Sequence, residues 1–280
     1  MNEPRSRADV DDPVDLRRVF ARIVSSTTGG PLRTIQTTGG GKPTGTFVSL
    51  KAKARAMPWE SRDCEKPVMQ LAEFCGAVHS LLSQPHRLEM TVRGSSRPLV
   101  YFPDLMLVVD RAFEHSIVSG MPFATAALNW VPPMGPAATR TMVIEVKEDR
   151  DPRLANRDYA EKLDLAAQVY ERVGMTFVTI LKSKDLDCVD MAPIRDVLMD
   201  RFTSIRMADV IAAREAVGRA GAVATVDVVA KALGGGAAAQ CKVAALTVRR
   251  VLSIGLAGEW SGESPVRLIN DGKAILDRGR

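Results

Sequence analysis

The chain predicts an α+β fold, a mixed sheet flanked by helices and followed by a mainly helical C-terminal domain. Three observations carry that expectation. From Ser61 to Leu181 the apolar pattern reads helix, strand, strand, strand, helix, strand. Beyond about residue 190 it shifts to short Ala- and Val-rich helices. Before residue 60 it is neither, being rich in Arg, Thr and Gly. The expected division is a basic, partly flexible arm over 1–59, a core domain over 60–190 with an insertion at 110–140, and a C-terminal domain over 191–280.

Taken in order, the arm begins with a one-signed stretch. Between Leu16 and Trp59 there are eight basic residues and no acidic one. Such a segment attracts a polyanion and releases counterions on binding. Arg17, Arg18, Lys51, Lys53 and Arg55 are its candidate DNA contacts. Thr37-Thr38-Gly39-Gly40-Gly41-Lys42-Pro43-Thr44 invites comparison with a phosphate-binding loop. It fails, because Pro43 stands where the Mg²⁺-binding hydroxyl belongs and no buried strand precedes it. A connector followed by a short strand over 45–50 is expected instead.

A helix is expected from Ser61 until Gln84-Pro85 ends it, with Val68, Leu71, Ala72, Cys75, Val78 and Leu82 at helical spacing. Pro67 is tolerable only within its first turn. Strands follow at 87–92 and 98–109, the second apolar enough to lie centrally. Pro122, Pro132, Pro133 and Pro136 mark the insertion. Then come a strand over 141–147, a helix over 156–173 ended by Gly174, and a strand over 175–181. Further helices are expected over 204–219, 225–233 and 237–254. Two short strands around Ser261-Gly262-Glu263-Ser264-Pro265 complete the outline of a winged helix.

Composition narrows the function classes. At 280 residues, with 46% hydrophobic and 25% charged residues, the chain can bury a substantial core and is not a disordered tail. Its net charge of +5 points only weakly to nucleic acid. Cys64, Cys75, Cys188 and Cys241 show no C-x-x-C spacing, and His79, His86 and His115 do not cluster with them, which argues against structural zinc. Unpaired thiols without a secretory leader suit a reducing cytoplasm. No apolar run is long enough to span a bilayer.

The residues that carry chemistry stand at two strand ends. Asp104 follows Phe102-Pro103, and Glu145 lies two residues before Lys147, hence on the same strand face. Val143 shares that face, while Met142, Ile144 and Val146 point into the opposite layer. Two carboxylates and an ammonium group can hold Mg²⁺ against a phosphodiester and support a nucleophilic water. Glu65 lies on the apolar stripe of the first helix, where a further metal ligand is reasonable. An isolated acid-x-Lys triplet carries little, since Asp271-Gly272-Lys273 has the same form where only a turn is expected. Conjunction within one order of elements gives the pattern its weight.

That conjunction resembles the PD-(D/E)xK nucleases, and more closely the TnsA endonuclease subunits of heteromeric Tn7-like transposases. The likeness rests on Ser61 with Glu65, Phe74, Gln84-Pro85, Tyr101-Phe102-Pro103-Asp104, Glu145-Val146-Lys147, Glu161-Lys162-Leu163 and the strand around Phe177. It implies a restriction-endonuclease-like core with a winged-helix-like C-terminal domain. It also implies Mg²⁺-dependent cleavage of the 5′ strands at transposon ends, with Mn²⁺ as a possible substitute. Glu65, Asp104 and Glu145 would bind metal, and Lys147 would assist the water. A DDE-type, TnsB-like transposase would make the 3′ cuts, and a TnsC-like ATPase would engage the C-terminal domain, all at the bacterial nucleoid.

Three departures stand against the pattern: Cys64 where Leu is usual, Pro67 inside the helix start, and a 41-residue step from Asp104 to Glu145. Glu60, Asp63 and Glu73 are therefore alternatives to Glu65. From Ser204 onward there are eleven basic and seven acidic residues. Gln240, Lys242, Thr247, Arg249 and Arg250 form a possible recognition helix, on a domain that can contact DNA or dock a protein. The rival functions are a stand-alone restriction or repair endonuclease and a non-catalytic DNA-binding adapter.

Overall fold

The computed structural model of the protein describes residues 19–33, 35, 43–92, 97–256 and 258–269. Its elements run β1 (Val19–Ser25), β2 (Gly45–Ser49), β3 (Arg55–Trp59), α1 (Glu65–Phe74), β4 (Val78–Ser83), β5 (His86–Val92), β6 (Leu99–Tyr101) and β7 (Leu105–Asp110). They continue with α2 (Arg111–Val118), α3 (Phe123–Asn129), β8 (Thr139–Lys147), α4 (Arg157–Arg172), β9 (Met175–Leu181) and α5 (Ala192–Met199). Last come α6 (Met207–Arg219), β10 (Val223–Thr225), α7 (Val226–Ala232), α8 (Gly236–Val248), β11 (Leu252–Ile254) and β12 (Pro265–Leu268). The fold is mixed α+β. No helix among the described residues is long and apolar enough to cross a membrane.

The central sheet has the order β4-β7-β8-β9. Its first two pairings are antiparallel, and β9 joins parallel to β8. Parallel neighbours need a crossover, which α4 supplies. A second sheet, β1-β5-β6, continues the β4–β7 hairpin past a break. Only Gln84-Pro85 separates β4 from β5, and only Phe102-Pro103-Asp104 separates β6 from β7. Neither proline has an N–H to give a ladder, so pairing stops on both strands at one level. The two breaks are tied together by Gln84 N donating to the Asp104 carbonyl at 2.8 Å.

This geometry corrects two expectations. The single strand over 98–109 is two strands in different sheets, because Pro103 interrupts it. The helix from Ser61 to Gln84 ends at Phe74, and Val78 and Leu82 lie on β4. Between them Gly76 sits where three segments meet. A Cβ there would lie 2.5 Å from Trp130 Cζ3 and 2.6 Å from Ile269 Cδ1.

The faces of β8 follow the two-residue period of a strand. Met142, Ile144 and Val146 enter the larger core with α1, whereas Val143 packs with Leu165, Ala166, Val169 and Tyr170 of α4. Glu145 and Lys147 therefore continue the α4 side. The segment 110–140 is part of the core, carrying α2 and α3 with Phe113 and Phe123 edge-to-face at 5.7 Å. One apolar cluster runs from Phe47 to Val266, so no gap in packing marks residue 190. The C-terminal segment contributes α5 to α8 and the antiparallel sheet β10-β12-β11. The helix expected over 237–254 stops at Val248, and residues 252–254 form β11.

The arm over 1–59 carries three strands among its described residues. Phe47, Met57 and Trp59 alternate inward on β2 and β3 and fasten that hairpin to the core. Lys51 is correspondingly not a DNA contact. Its buried ammonium donates to the carbonyls of Ala72 (2.8 Å) and Cys75 (2.5 Å) at the C-terminal end of α1, where helical partners run out. Burial lowers its pKa to about 8. The expected recognition-helix cations also bond within the protein, Arg250 buried and Lys242 and Arg249 half-buried. Lys242 pairs with Asp209 at 2.7 Å, Arg249 Nη1 donates to the Arg201 carbonyl at 2.8 Å, and buried Arg250 Nε donates to the Gly76 carbonyl at 2.8 Å. Lys53 and Arg55 are exposed around the β2–β3 turn, and Arg17 and Arg18 lie outside the described residues.

Gly76→Ala should force Trp130 and Ile269 apart and destabilise the protein by about 1–3 kcal/mol. Urea unfolding followed by tryptophan fluorescence measures that loss.

Candidate active site

Three elements bring the acids together. Strand β8 delivers Glu145 and Lys147 on one face. Leu105 pairs with Ile144, so Asp104, just before β7, arrives beside the end of β8. There Val146 N donates to Asp104 Oδ2 at 2.7 Å, holding the carboxylate between the two β8 side chains in sequence. Glu65 opens α1, and Glu60 N donates to its Oε2 at 3.1 Å. Glu65, Asp104, Glu145 and Lys147 all line one open cleft of about 760 Å³.

Glu145 is the hub of the hydrogen-bond network. Tyr101 OH donates to Oε2 at 2.5 Å and Tyr159 OH donates to Oε1 at 2.5 Å. Lys147 Nζ also meets Oε1 at 2.5 Å. Both members of this ion pair are only 3% exposed, so its strength is not diluted by solvent. Around the Tyr159 ring stand Lys162 (5.0 Å), Lys147 (5.2 Å) and Arg153 (5.5 Å). Asp151 holds Arg153 through Nη2 at 2.7 Å.

The cleft is short of positive charge at its centre. Burial, then repulsion from Glu60 and Glu145, raises the Glu65 carboxyl to about 7. Burial followed by Glu145 and Glu65 pushes Asp104 well above the usual carboxylate range. Burial works against the Lys147 ammonium, yet Glu145 and the Tyr159 hydroxyl outweigh it and raise its pKa above that of ordinary lysine. Lys147 is thus a fixed cation at neutral pH, suited to holding a water or an anion and unsuited to removing a proton. Burial lowers the pKa of Lys162.

As these side chains stand, no three Asp, Glu, His or Cys groups among the described residues are disposed to hold a metal ion. Glu145 has both oxygens engaged by protein donors, Oε2 by Tyr101 and Oε1 by Tyr159 and Lys147. The donor set itself suits Mg²⁺ or Mn²⁺, which take carboxylate oxygens and keep several waters. Mutual repulsion among Glu65, Asp104 and Glu145 is the imbalance that a divalent cation would relieve. The residues fit the ion in chemistry and charge, with Glu145 requiring a change of partner.

Among the alternatives to Glu65, Glu60 pairs with Arg33 at 2.5 Å and Asp63 lines the cleft. Glu73 is removed from it, accepting from Ser49 Oγ at 2.5 Å and Leu50 N at 2.7 Å in the interior. Tyr101, Tyr159, Arg153 and Lys162 are cleft residues that sequence reasoning did not single out for the site. Tyr101 belongs to the Tyr-Phe-Pro-Asp motif, but only strand pairing aims its hydroxyl at Glu145. No family model matches this sequence, and no curated protein does.

The unfolded chain releases the Glu65 proton near 4.5, while the folded chain keeps it to about 7. Glu65 therefore favours the folded state less and less as pH rises across that window. In EDTA, Glu65→Gln should flatten this fall and raise the melting temperature at pH 8 by a few degrees, read by circular dichroism.

Proposed function

We propose that this protein is a Mg²⁺-dependent DNA endonuclease, with a restriction-endonuclease-like core and a winged-helix-like C-terminal domain. The observation that carries the reading is the convergence of Glu65, Asp104, Glu145 and Lys147 on one open cleft. The sequence motifs that resemble the TnsA subunits refine it to 5′-strand cleavage at transposon ends, in partnership with a DDE-type transposase. An ATPase regulator contacting the C-terminal domain belongs to the same proposal.

In this reading Glu65, Asp104 and Glu145 hold the ion, and Mn²⁺ substitutes for Mg²⁺. Bound there, the ion would supply Lewis acidity toward the non-bridging phosphate oxygens and lower the cost of forming hydroxide. Asp104 is kept in place by the Val146 N–H, and Tyr101 orients Glu145. Lys147, fixed as a cation, holds the attacking water and opposes the negative charge that builds on the phosphate. Arg153 and Lys162 line the same cleft and meet the DNA backbone. Lys53 and Arg55 offer further exposed positive charge.

The complete hydrogen bonding of Glu145 by protein donors favours a second reading, a DNA-binding adapter with an inert cleft. One assay separates the two. Supercoiled DNA bearing the element's ends should be nicked with Mg²⁺ when the partner transposase is present. Asp104→Asn, Glu145→Gln and Lys147→Ala should each reduce nicking by about 10²-fold or more. Equal nicking by all three variants, folded as judged by circular dichroism, would exclude the hydrolytic site.

A further inference from the structure

Two tyrosines hold the two oxygens of Glu145, and they are not equivalent. Tyr101, on β6, is 3% exposed and its ring meets Phe177 edge-to-face at 6.1 Å. Its bond to Oε2 is locked by packing. Tyr159 is half-buried in the first turn of α4, where its backbone N–H donates to Asn156 Oδ1 at 3.1 Å. Its ring lines the cleft among three cations, and its hydroxyl closes a triangle with Lys147 and Glu145 Oε1.

We infer that Tyr159 is a positioning residue that occupies the coordination position of Glu145 Oε1 and yields it to the divalent ion, while Tyr101 keeps Oε2 throughout. The inference rests on the metal-site reading above. The two lone pairs of Oε1 are engaged by the Tyr159 O–H and by Lys147 Nζ, each at 2.5 Å, so an ion reaching this oxygen has to displace one donor, and the neutral hydroxyl is the weaker of the two. Tyr101 acts in the opposite sense, since it fixes the carboxylate plane without competing for the same oxygen. Loss of one hydroxyl should therefore tighten metal binding, and loss of the other should weaken it. A residue that merely packs would not give opposite signs.

The test is a calorimetric titration of the full-length protein with Mn²⁺ at pH 7.5, with no DNA present. Wild type should bind saturably. Tyr159→Phe should bind about tenfold more tightly, from removal of one charge-assisted hydrogen bond, and Tyr101→Phe about tenfold more weakly. Tyr159→Leu, which removes the ring as well, should also bind more tightly than wild type. Adding Mn²⁺ to wild type should change the tyrosine absorbance as the hydroxyl leaves Glu145, and Tyr159→Phe should lose that signal. If wild type binds Mn²⁺ but Tyr159→Phe binds no more tightly, the inference is overturned and the metal site stands. If wild type does not bind Mn²⁺, the metal site fails and the inference with it.

Discussion

The structure depends on the simultaneous break of two paired strands. Pro85 and Pro103 stop the hairpin ladder at one level, and Gln84 N–H to the Asp104 carbonyl holds the two breaks together. Without them, Asp104 would be an ordinary ladder residue with its carboxylate committed to one sheet face. The break lets the carboxylate turn across to Val146 N on the neighbouring strand. Its cost is local strain. Buried Gln84 has φ 45°, a left-handed backbone that costs a non-glycine residue on the order of 1 kcal/mol or more. Such strain persists where surrounding contacts over-determine it, and here the Leu32 N–H to the Gln84 carbonyl at 2.8 Å adds one more.

From that break follows the charge problem at the cleft. A half-buried Asp104 now lies near two further buried acids, Glu65 and Glu145, and close compensation comes chiefly from Lys147. Two tyrosine hydroxyls share the burden by donating to Glu145, yet the carboxyls of Glu65 and Asp104 remain pushed upward. A buried acid cluster of this kind is an unfavourable way to build a stable core. In the proposed reading it is a site arranged for a cation that arrives from solvent. The same surroundings keep Lys147 protonated, so its task in the proposed reaction is electrostatic.

Much of this was legible from local pattern. The two-residue period of β8 placed Glu145 and Lys147 on the Val143 face, because alternation survives whatever the strand pairs with. Pro103-Asp104 marked a strand end for a reason internal to proline. The helix ending at Phe74 was harder, since Val78 and Leu82 satisfy helical spacing as well as a strand, and the chain turns extended at Cys75 just before Gly76 comes close to Trp130 and Ile269 from far along the chain. Lys51 and Arg250, both buried, misled for a related reason. Charge on a sequence reads as surface, but these cations donate to backbone carbonyls that no local pattern shows to be waiting. Tyr159 falls within the helix expected over 156–173 with nothing to mark it, and its hydroxyl meets Glu145 only through the packing of α4 on the sheet.

The most direct measurement is anomalous X-ray scattering from crystals of the protein soaked in Mn²⁺. A single strong peak within coordination distance of Glu65, Asp104 and Glu145 is the expected result, with the Tyr159 hydroxyl moved away from Oε1. Ordered Mn²⁺ elsewhere on the molecule, with those three carboxylates bare and Glu145 still bonded to Tyr159, would contradict it.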